Sequence, residues 1–372
     1  MSIYTEESIL QFGTGKFLRC FVDLFVHETN QGRAEPLGIT AVQSTGAGRA
    51  RSINRQGGRY HVAIRGLECG ERVDRVVEVA SVGRALAAES KWENVLATAR
   101  AESLEAIVSN VTEAGYRTDP RDAPDDAPPP SFPAKLAAVL RSRFEAGLPP
   151  VTILPCELLE KNARRLMQLV LEVAERWRLS EQCRQWIRSE CSWHDTLVDR
   201  IVSAPAAGEP WAERDPLFAV AEPFALWLVE GSVGVRGLSE HAAVEVVDDL
   251  APHHLRKVRI LNGAHTALVA KARPLGIETV RQAVEDQRVR PWLEALLFEE
   301  IVPVLEGRTH QPRRFAEAAL ERFANPFLEH RLDDIALHHD MKLQTRLAPT
   351  FREFSERFGR RPKLLSEILV GH

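Results

Sequence analysis

At 372 residues the chain exceeds the usual size of one domain, so two are expected. Its 44% hydrophobic and 27% charged content is ordinary for a globular protein, and a net charge of -4 without clustered basic residues argues against a nucleic-acid partner. No apolar run reaches the length of a membrane span and MSIYTEESIL carries no signal-peptide pattern, so a cytoplasmic protein with no membrane partner is expected.

Ser8-Ile-Leu-Gln-Phe12 reads as a short buried strand that runs directly into Gly13-Thr-Gly-Lys-Phe-Leu-Arg-Cys-Phe21, the start of a helix. Strand, G-x-G turn and helix begin a dinucleotide-binding βαβ unit, whose glycines let the backbone approach a pyrophosphate. Leu18 stands where the usual fingerprint has a third glycine, so a strand-to-helix turn that merely needs glycine is the competing reading. The next strand, Gly38–Gln43, ends without an Asp or Glu for a ribose 2′-hydroxyl. Arg49 and Arg51 follow in a glycine-rich loop where either would meet a 2′-phosphate, so NAD and NADP both stay open.

Residues Tyr60 to Val82 alternate across Gly70 as a hairpin inserted into the α/β unit. A helix at Trp92–Ala101 precedes the strand Ala106–Asn110, whose carboxyl end carries Asn110-Val-Thr-Glu-Ala-Gly115. Open parallel sheets bind ligands at that end, so Asn110 and Glu113 are either ligand-loop or turn residues. After a Pro- and Asp-rich loop, Asp119–Pro133, come a helix at Ala134–Ala146, a buried strand Val151–Pro155 and an amphipathic helix Leu166–Arg176. This β-α-β-α-β succession predicts a doubly wound first domain.

Asp199 and Arg200 lie within an apolar run and read as a structural ion pair, and Glu222–Glu230 reads as one more strand of the first domain. From Asp248 onward the pattern is helical, with apolar periodicity over Val280–Leu297, Glu299–Leu305, Phe315–Phe323 and Asp333–Leu343. The expected fold class is therefore α/β: a dinucleotide-binding domain over residues 1–247, then an all-α domain over 248–372.

Lys257-Val-Arg-Ile-Leu-Asn-Gly-Ala-His265 opens that second domain with a lysine, a carboxamide and an imidazole in an apolar helical run. At about 100° per residue, Asn262 lies roughly 140° from Lys257 and His265 roughly 80°, so the three fit one broad face. A lysine with its pKa lowered by burial is an acid or base near neutrality, and a carboxamide holds a carbonyl oxygen. Chance occurrence of so short a pattern is the alternative. Adjacent histidines at His253-His254 and His338-His339 point about 100° apart on a helix, so no metal site is expected. The five cysteines, Cys20, Cys69, Cys156, Cys183 and Cys191, form an odd set without a CxxC pair, which fits a reducing compartment and buried structural thiols.

The motifs fall in order with those of a known family. Gln11-Phe-Gly-Thr-Gly-Lys-Phe, Gln43-Ser-Thr-Gly, Ser109-Asn-Val-Thr-Glu-Ala-Gly, Leu154-Pro-Cys-Glu-Leu-Leu, Thr196-Leu-Val-Asp-Arg-Ile-Val, the Lys257 stretch, Glu299-Glu-Ile-Val-Pro-Val-Leu and Asn325-Pro-Phe carry the likeness. Over nearly its whole length the chain resembles the long-chain polyol (mannitol) dehydrogenase family, and within it the tagaturonate reductase group. The resemblance implies an N-terminal Rossmann domain, a helical C-terminal domain and an active site in the cleft between them. It also implies metal-independent hydride transfer between NAD, with NADP not excluded, and a sugar acid, tagaturonate to altronate.

The resemblance assigns Gly13, Gly15, Phe17, Gln43, Ser44, Asn110 and Glu113 to the cofactor. It makes Lys257 the acid in reduction and the base in oxidation, Asn262 a ligand of the reacting oxygen, and His265 a residue positioning substrate or lysine. Polyol members use an asparagine after the strand ending here at Pro155. Glu157-Leu158 stand in place of the common Asp-Asn, which leaves Asn162 as the substrate-binding candidate. Lys342 matches a family lysine near the substrate, and with His330 it is expected to hold a carboxylate. Members of the group continue beyond Leu369-Val-Gly-His372, so further helices closing the second domain are expected to be missing. Two other functions fit: a polyol dehydrogenase of the mannitol and fructose type, and a shortened, inactive relative serving as a nucleotide-binding or interaction module. A monomer or small homo-oligomer is expected.

Overall fold

The computed structural model describes residues 7–112 and 115–370. The chain divides into two compact units. The first comprises Met1–Ile64, Arg75–Ala221 and Ala225–Leu250; the second comprises Arg65–Asp74, Glu222–Phe224 and Ala251–His372.

In the first unit the strands β1 (Ile9–Phe12), β2 (Ile39–Gln43), β3 (Tyr60–Glu68), β4 (Glu71–Val79), β5 (Val82–Ala87), β6 (Ala106–Ser109), β7 (Thr152–Pro155) and β8 (Ser192–Trp193) come first in the chain. Six of them form one parallel sheet in the order β5-β2-β1-β6-β7-β8. The chain winds outward from β1 through β2 to β5, then returns to β6 and winds the other way. The direction therefore switches between β1 and β6, the point where doubly wound sheets bind ligands. β1, β6 and β7 are buried along their whole length, which is why they read as continuous apolar runs and not as alternating ones.

The crossover helices are α1 (Lys16–Arg19), α2 (Val22–Thr29), α3 (Gly48–Arg55), α4 (Ala88–Ala99), α5 (Phe132–Glu145) and α6 (Asn162–Arg176). Leu136, Val139 and Leu140 of α5 and Leu166, Val170 and Val173 of α6 bury their apolar stripe on Phe12, Ile107 and Ile153. Fully burying such a side chain contributes about 1.5–3 kcal/mol. α5 starts where Ser131 accepts a hydrogen bond from Ala134 N at 3.2 Å, and Pro133 in the first turn costs no hydrogen bond there.

Two small sheets complete the strands: β9 (Thr196–Asp199), β10 (Val202–Ser203), β11 (Ala219–Ala221), β12 (Leu226–Glu230) and β13 (Val244–Val247). β10, β11, β3 and β4 form one, and β13, β12 and β9 the other. The Glu222–Glu230 strand is thus shorter than expected and belongs to a separate sheet, antiparallel to β9. β5 is a further departure. The alternating sequence predicts one hairpin up to Val82, yet the hairpin ends at Val79 and Val82–Ala87 is an edge strand on β2.

The second unit is helical from Ala251 onward, around Ile260, Leu268, Leu293, Leu297, Leu305 and Leu347. It also contains the tip of the β3–β4 hairpin. Asn325 Nδ2 donates to Arg65 O at 3.0 Å, Gly70 N donates to Glu321 Oε1 at 2.5 Å, and Arg72 lies 4.6 Å from the Phe327 ring. Glu222 and Arg322 form a buried bidentate pair at 2.8 and 3.0 Å, with the Arg322 guanidinium 4.3 Å over the Phe224 ring. Among the described residues no helix is long and apolar enough to cross a membrane.

Three stretches of the second unit are π-helical: Lys257–Asn262, Leu296–Ile301 and Leu343–Leu347. Pro303 and Pro349 follow the last two, and the carbonyl four residues before each proline lies inside the wide turn. Proline removes one ladder bond and displaces that carbonyl, so a local i→i+5 register absorbs it. The helix expected over Asp333–Leu343 is broken at His338, whose φ of 56° is left-handed.

Candidate active site

The candidate residues of the first unit gather at the carboxyl ends of the parallel strands. Gly13 leaves β1 at φ 136°, and a Cβ there would stand 2.7 Å from Leu18 Cδ1 and 3.3 Å from Asn110 O. Only glycine fits. Leu18, the departure from the G-x-G-x-x-G pattern, fills the space beneath the turn. Gly15 has nothing within 4 Å of where its Cβ would be, so its backbone faces open space next to the switch point. That bare turn fits a dinucleotide pyrophosphate, with the exposed Lys16 beside it. Arg19 holds the turn from below: buried, it donates to Thr14 O at 2.7 Å and Leu217 O at 3.0 Å. Phe17, half-buried, stacks on Phe21 at 4.8 Å.

On the loop after β2, the Gln43 side chain is engaged internally. Its Oε1 accepts from Ala50 N at 2.8 Å and its Nε2 donates to Thr45 O at 2.9 Å, so it shapes the loop that carries Ser44. The carboxylate missing from the end of β2 has a counterpart in space: Glu89, from the first turn of α4, accepts from Gly46 N at 3.1 Å.

Asn110 N donates to Phe12 O at 3.1 Å, and its side chain donates to Cys156 O at 2.7 Å, joining the ends of β1, β6 and β7. Glu113 lies outside the described residues. Glu157, which the sequence marks only as a departure from the family's common Asp-Asn, is the centre of this edge. Its buried carboxylate accepts from Val111 N at 2.8 Å, Tyr116 Oη at 2.8 Å and Ser109 Oγ at 3.2 Å. Burial raises its pKa, and those three donors pull the other way.

Asn162 is a correction. It was expected to bind substrate, but it is fully buried. Its Nδ2 donates to Pro155 O and Glu157 O, both at 3.1 Å, and to Thr196 O at 3.2 Å, while its Oδ1 accepts from Thr196 N at 2.9 Å. Every donor and acceptor ties β7 and α6 to β9, so no atom is left for a ligand.

In the second unit, Lys257–Asn262 is π-helical where an α-helix was expected, and the difference alters the site. The i→i+5 register stacks residues five apart nearly over one another. Lys257 and Asn262 thereby share a side of the helix, in place of the roughly 140° separation of an α-helix. Both are half-buried. Arg259 anchors the turn by donating to Thr350 Oγ1 at 2.8 Å and Glu353 Oε1 at 3.0 Å.

His265, buried on the α-helix that follows, packs 4.4 Å from the Phe323 ring and edge-on to His330 at 4.9 Å. Burial lowers the pKa of His330. Lys342 donates to Ile335 O at 2.7 Å. Thr266 Oγ1 donates to Asn262 O at 2.9 Å and accepts from Arg346 at 3.2 Å, a cation that the sequence reading passed over.

Among the described residues no group of three His, Cys, Asp or Glu side chains gathers as metal ligands. All five cysteines are free: Cys20, Cys156, Cys183 and Cys191 are buried, and burial pushes Cys20 and Cys191 up to about 12. Cys69 is exposed on the β3–β4 turn.

Residues 7–238 match the family described as the mannitol dehydrogenase Rossmann domain, and residues 249–370 match the mannitol dehydrogenase C-terminal domain. The altronate oxidoreductase of Bacillus subtilis (strain 168) is 37% identical over 97% of this chain and 78% of its own length. That of Yersinia pestis bv. Antiqua (strain Nepal516) is 36% identical over 98% and 78%. Among solved structures, a substrate-free D-sorbitol dehydrogenase superposes with a TM-score of 0.83 at 24% identity, over 96% of this chain and 78% of that one. The Pseudomonas fluorescens mannitol 2-dehydrogenase ternary complex with NAD and D-mannitol superposes at 0.78 with 20% identity, over 98% and 78%. These two likenesses concern the fold.

Proposed function

The chain belongs to the mannitol dehydrogenase family, and from that premise we propose that it is an NAD-dependent oxidoreductase interconverting tagaturonate and altronate. The observation carrying the sugar-acid reading is identity above one third with altronate oxidoreductases over nearly the whole chain.

When bound, the nicotinamide supplies or accepts the hydride. The protein's own residues handle the oxygen. Lys257 donates a proton to the carbonyl oxygen in reduction and withdraws it in oxidation. Asn262, brought to the same side by the π-turn, donates its amide N–H to that oxygen and stabilises the charge developing on it. His265, held between Phe323 and His330, orients substrate or lysine. The turn at Gly13–Gly15 holds the pyrophosphate, and Phe17, Ser44 and Asn110 complete the cofactor side. Lys342 and His330 lie on the substrate side.

Glu89 supports NAD over NADP: its carboxylate, from α4 against the β2 loop, favours a ribose hydroxyl and repels a 2′-phosphate. Arg49 and Arg51 on the same stretch are the opposing feature.

A screen of NADH and NADPH oxidation against tagaturonate, other ketouronates and fructose tests the assignment. Tagaturonate with NADH is expected to exceed fructose by at least about tenfold in kcat/KM. Preference for fructose would remove the sugar-acid reading, and binding of NADH without turnover of any of them would remove the enzymatic one.

A further inference from the structure

Arg346 is a partly buried cation that the rest of the chain holds by little. Arg322 has Glu222 and Arg259 has Glu353, while Arg19 and Arg143, with no carboxylate partner among the described residues, each donate to at least two backbone carbonyls. Arg346 is half-buried, and its one hydrogen bond runs to a neutral hydroxyl, Thr266 Oγ1 at 3.2 Å. Among the described residues no carboxylate pairs with it.

Lys342 sits four residues earlier and is in the same position. Its ammonium donates to a neutral carbonyl, Ile335 O, and again no carboxylate among the described residues answers it. Burial disfavours both charges, and Arg346 further disfavours that of Lys342. Two like charges in one turn, partly desolvated and without a counter-ion among the described residues, disfavour one another.

The position of the pair is fixed. Arg346 lies in the Leu343–Leu347 π-turn, which packs on the Lys257–Asn262 turn. Leu347 Cδ2 would stand 3.3 Å from a Cβ on Gly263, so the missing side chain there admits the close approach. The Arg346–Thr266–Asn262 chain of hydrogen bonds then ties the guanidinium to the carbonyl of the residue assigned to the reacting oxygen. A guanidinium has five N–H donors in a fixed fork, and Thr266 engages one.

We propose that Arg346, together with Lys342, is the anion-binding pair that takes the carboxylate of a sugar-acid substrate, and so separates ketouronates from neutral ketoses. This rests on the sugar-acid reading above and adds to it the residue that enforces it. A planar fork matches a carboxylate with two N–H···O bonds, and a lysine beside it adds a point charge. A neutral ketose offers nothing to offset the repulsion between the two cations.

The test uses the full chain and its Arg346→Met, Arg346→Lys and Lys342→Met variants. NADH oxidation is followed with tagaturonate and with fructose, and the thermal melt of each variant is recorded. In Arg346→Met the ratio of kcat/KM for tagaturonate to that for fructose is expected to fall about 10- to 100-fold, mainly through KM for tagaturonate. Arg346→Lys restores part of it, and Lys342→Met shows a smaller fall. A ratio within twofold of wild type in both folded Arg346 variants overturns the anion pair while leaving tagaturonate as the substrate.

If the wild-type enzyme reduces no ketouronate, the functional reading fails by itself. Calorimetric titration with D-altronate and D-mannitol then decides on the pair. Tighter binding of the acid, lost in Arg346→Met, supports it; equal binding of both by wild type overturns it.

Discussion

His330 stands edge-on to His265, with ring centroids 4.9 Å apart and planes inclined at 64°. Phe323 closes on His265 at 4.4 Å, so two imidazoles and a phenyl ring form one packed wall of the second unit. Burial holds the His330 pKa below its ordinary value, against the opposing pull of the Asp334 carboxylate. The wall is built for neutral His330.

Acid should loosen it. With a folded pKa below the unfolded value of 6.5, His330 binds fewer protons folded than unfolded in the window beneath 6.5, so stability falls as pH drops through it. Melting of wild type and His330→Gln between pH 7.5 and 5 measures this. The variant should lose less Tm on acidification, and parallel curves would show that His330 carries no such penalty.

Lys257→Ala should lower kcat by roughly 10²- to 10⁴-fold, the usual contribution of a positioned acid or base. NADH affinity, read by fluorescence titration, should stay within about twofold of wild type, because the dinucleotide side is built from Gly13–Gly15 and the loops after β2 and β6. Wild-type turnover in this variant would remove Lys257 from the proton-transfer role.

Asn325 and Arg65 show where legibility ended. The first βαβ unit could be read because strand, G-x-G turn and helix are contiguous in sequence, each with its own period. The hairpin tip belongs to the second unit through contacts such as Asn325 Nδ2 to Arg65 O, across 260 residues, which no local pattern encodes. The π-turn at Lys257–Asn262 escaped for another reason: its apolar spacing suits an α-helix, and the i→i+5 register is set by packing. Asn162 reads as a ligand residue in the sequence because a polar residue after a strand fits a ligand loop and a structural knot equally well. Only its full set of partners, Pro155, Glu157 and Thr196, separates the two. Arg346 carried no motif at all; its meaning is the carboxylate partner it does not have among the described residues.

The Glu222–Arg322 pair is nearly sealed from solvent, with side-chain exposures of 1% and 4%. Removing one partner of a buried ion pair costs about 3–5 kcal/mol, whereas replacing both with apolar groups is often neutral. Glu222→Gln should therefore lower the urea midpoint strongly, and Glu222→Leu combined with Arg322→Met should recover much of the loss. If the double variant is as unstable as the sum of the singles, Phe224 packing and not charge burial dominates at this position.

Asp23 is a buried acid held by Tyr60, whose hydroxyl donates to Asp23 Oδ2 at 2.5 Å. Burial raises its pKa from 3.8 to about 6, against the hydrogen bonds from Tyr60 and Gln11 and the nearby Arg19 charge. The folded state thus prefers the protonated acid. Its contribution to stability is fully present below pH 3.8 and is lost as pH rises through about 6, because the unfolded chain releases the proton first. Asp23→Asn keeps an acceptor for Tyr60 and removes the charge. Its Tm relative to wild type should therefore be higher at pH 8 than at pH 5, by roughly 2 °C or more for each kcal/mol relieved. Because both proteins carry the same remaining titrating groups, those largely cancel in the difference, and an equal offset at the two pH values would show that the folded protein holds Asp23 ionised without penalty.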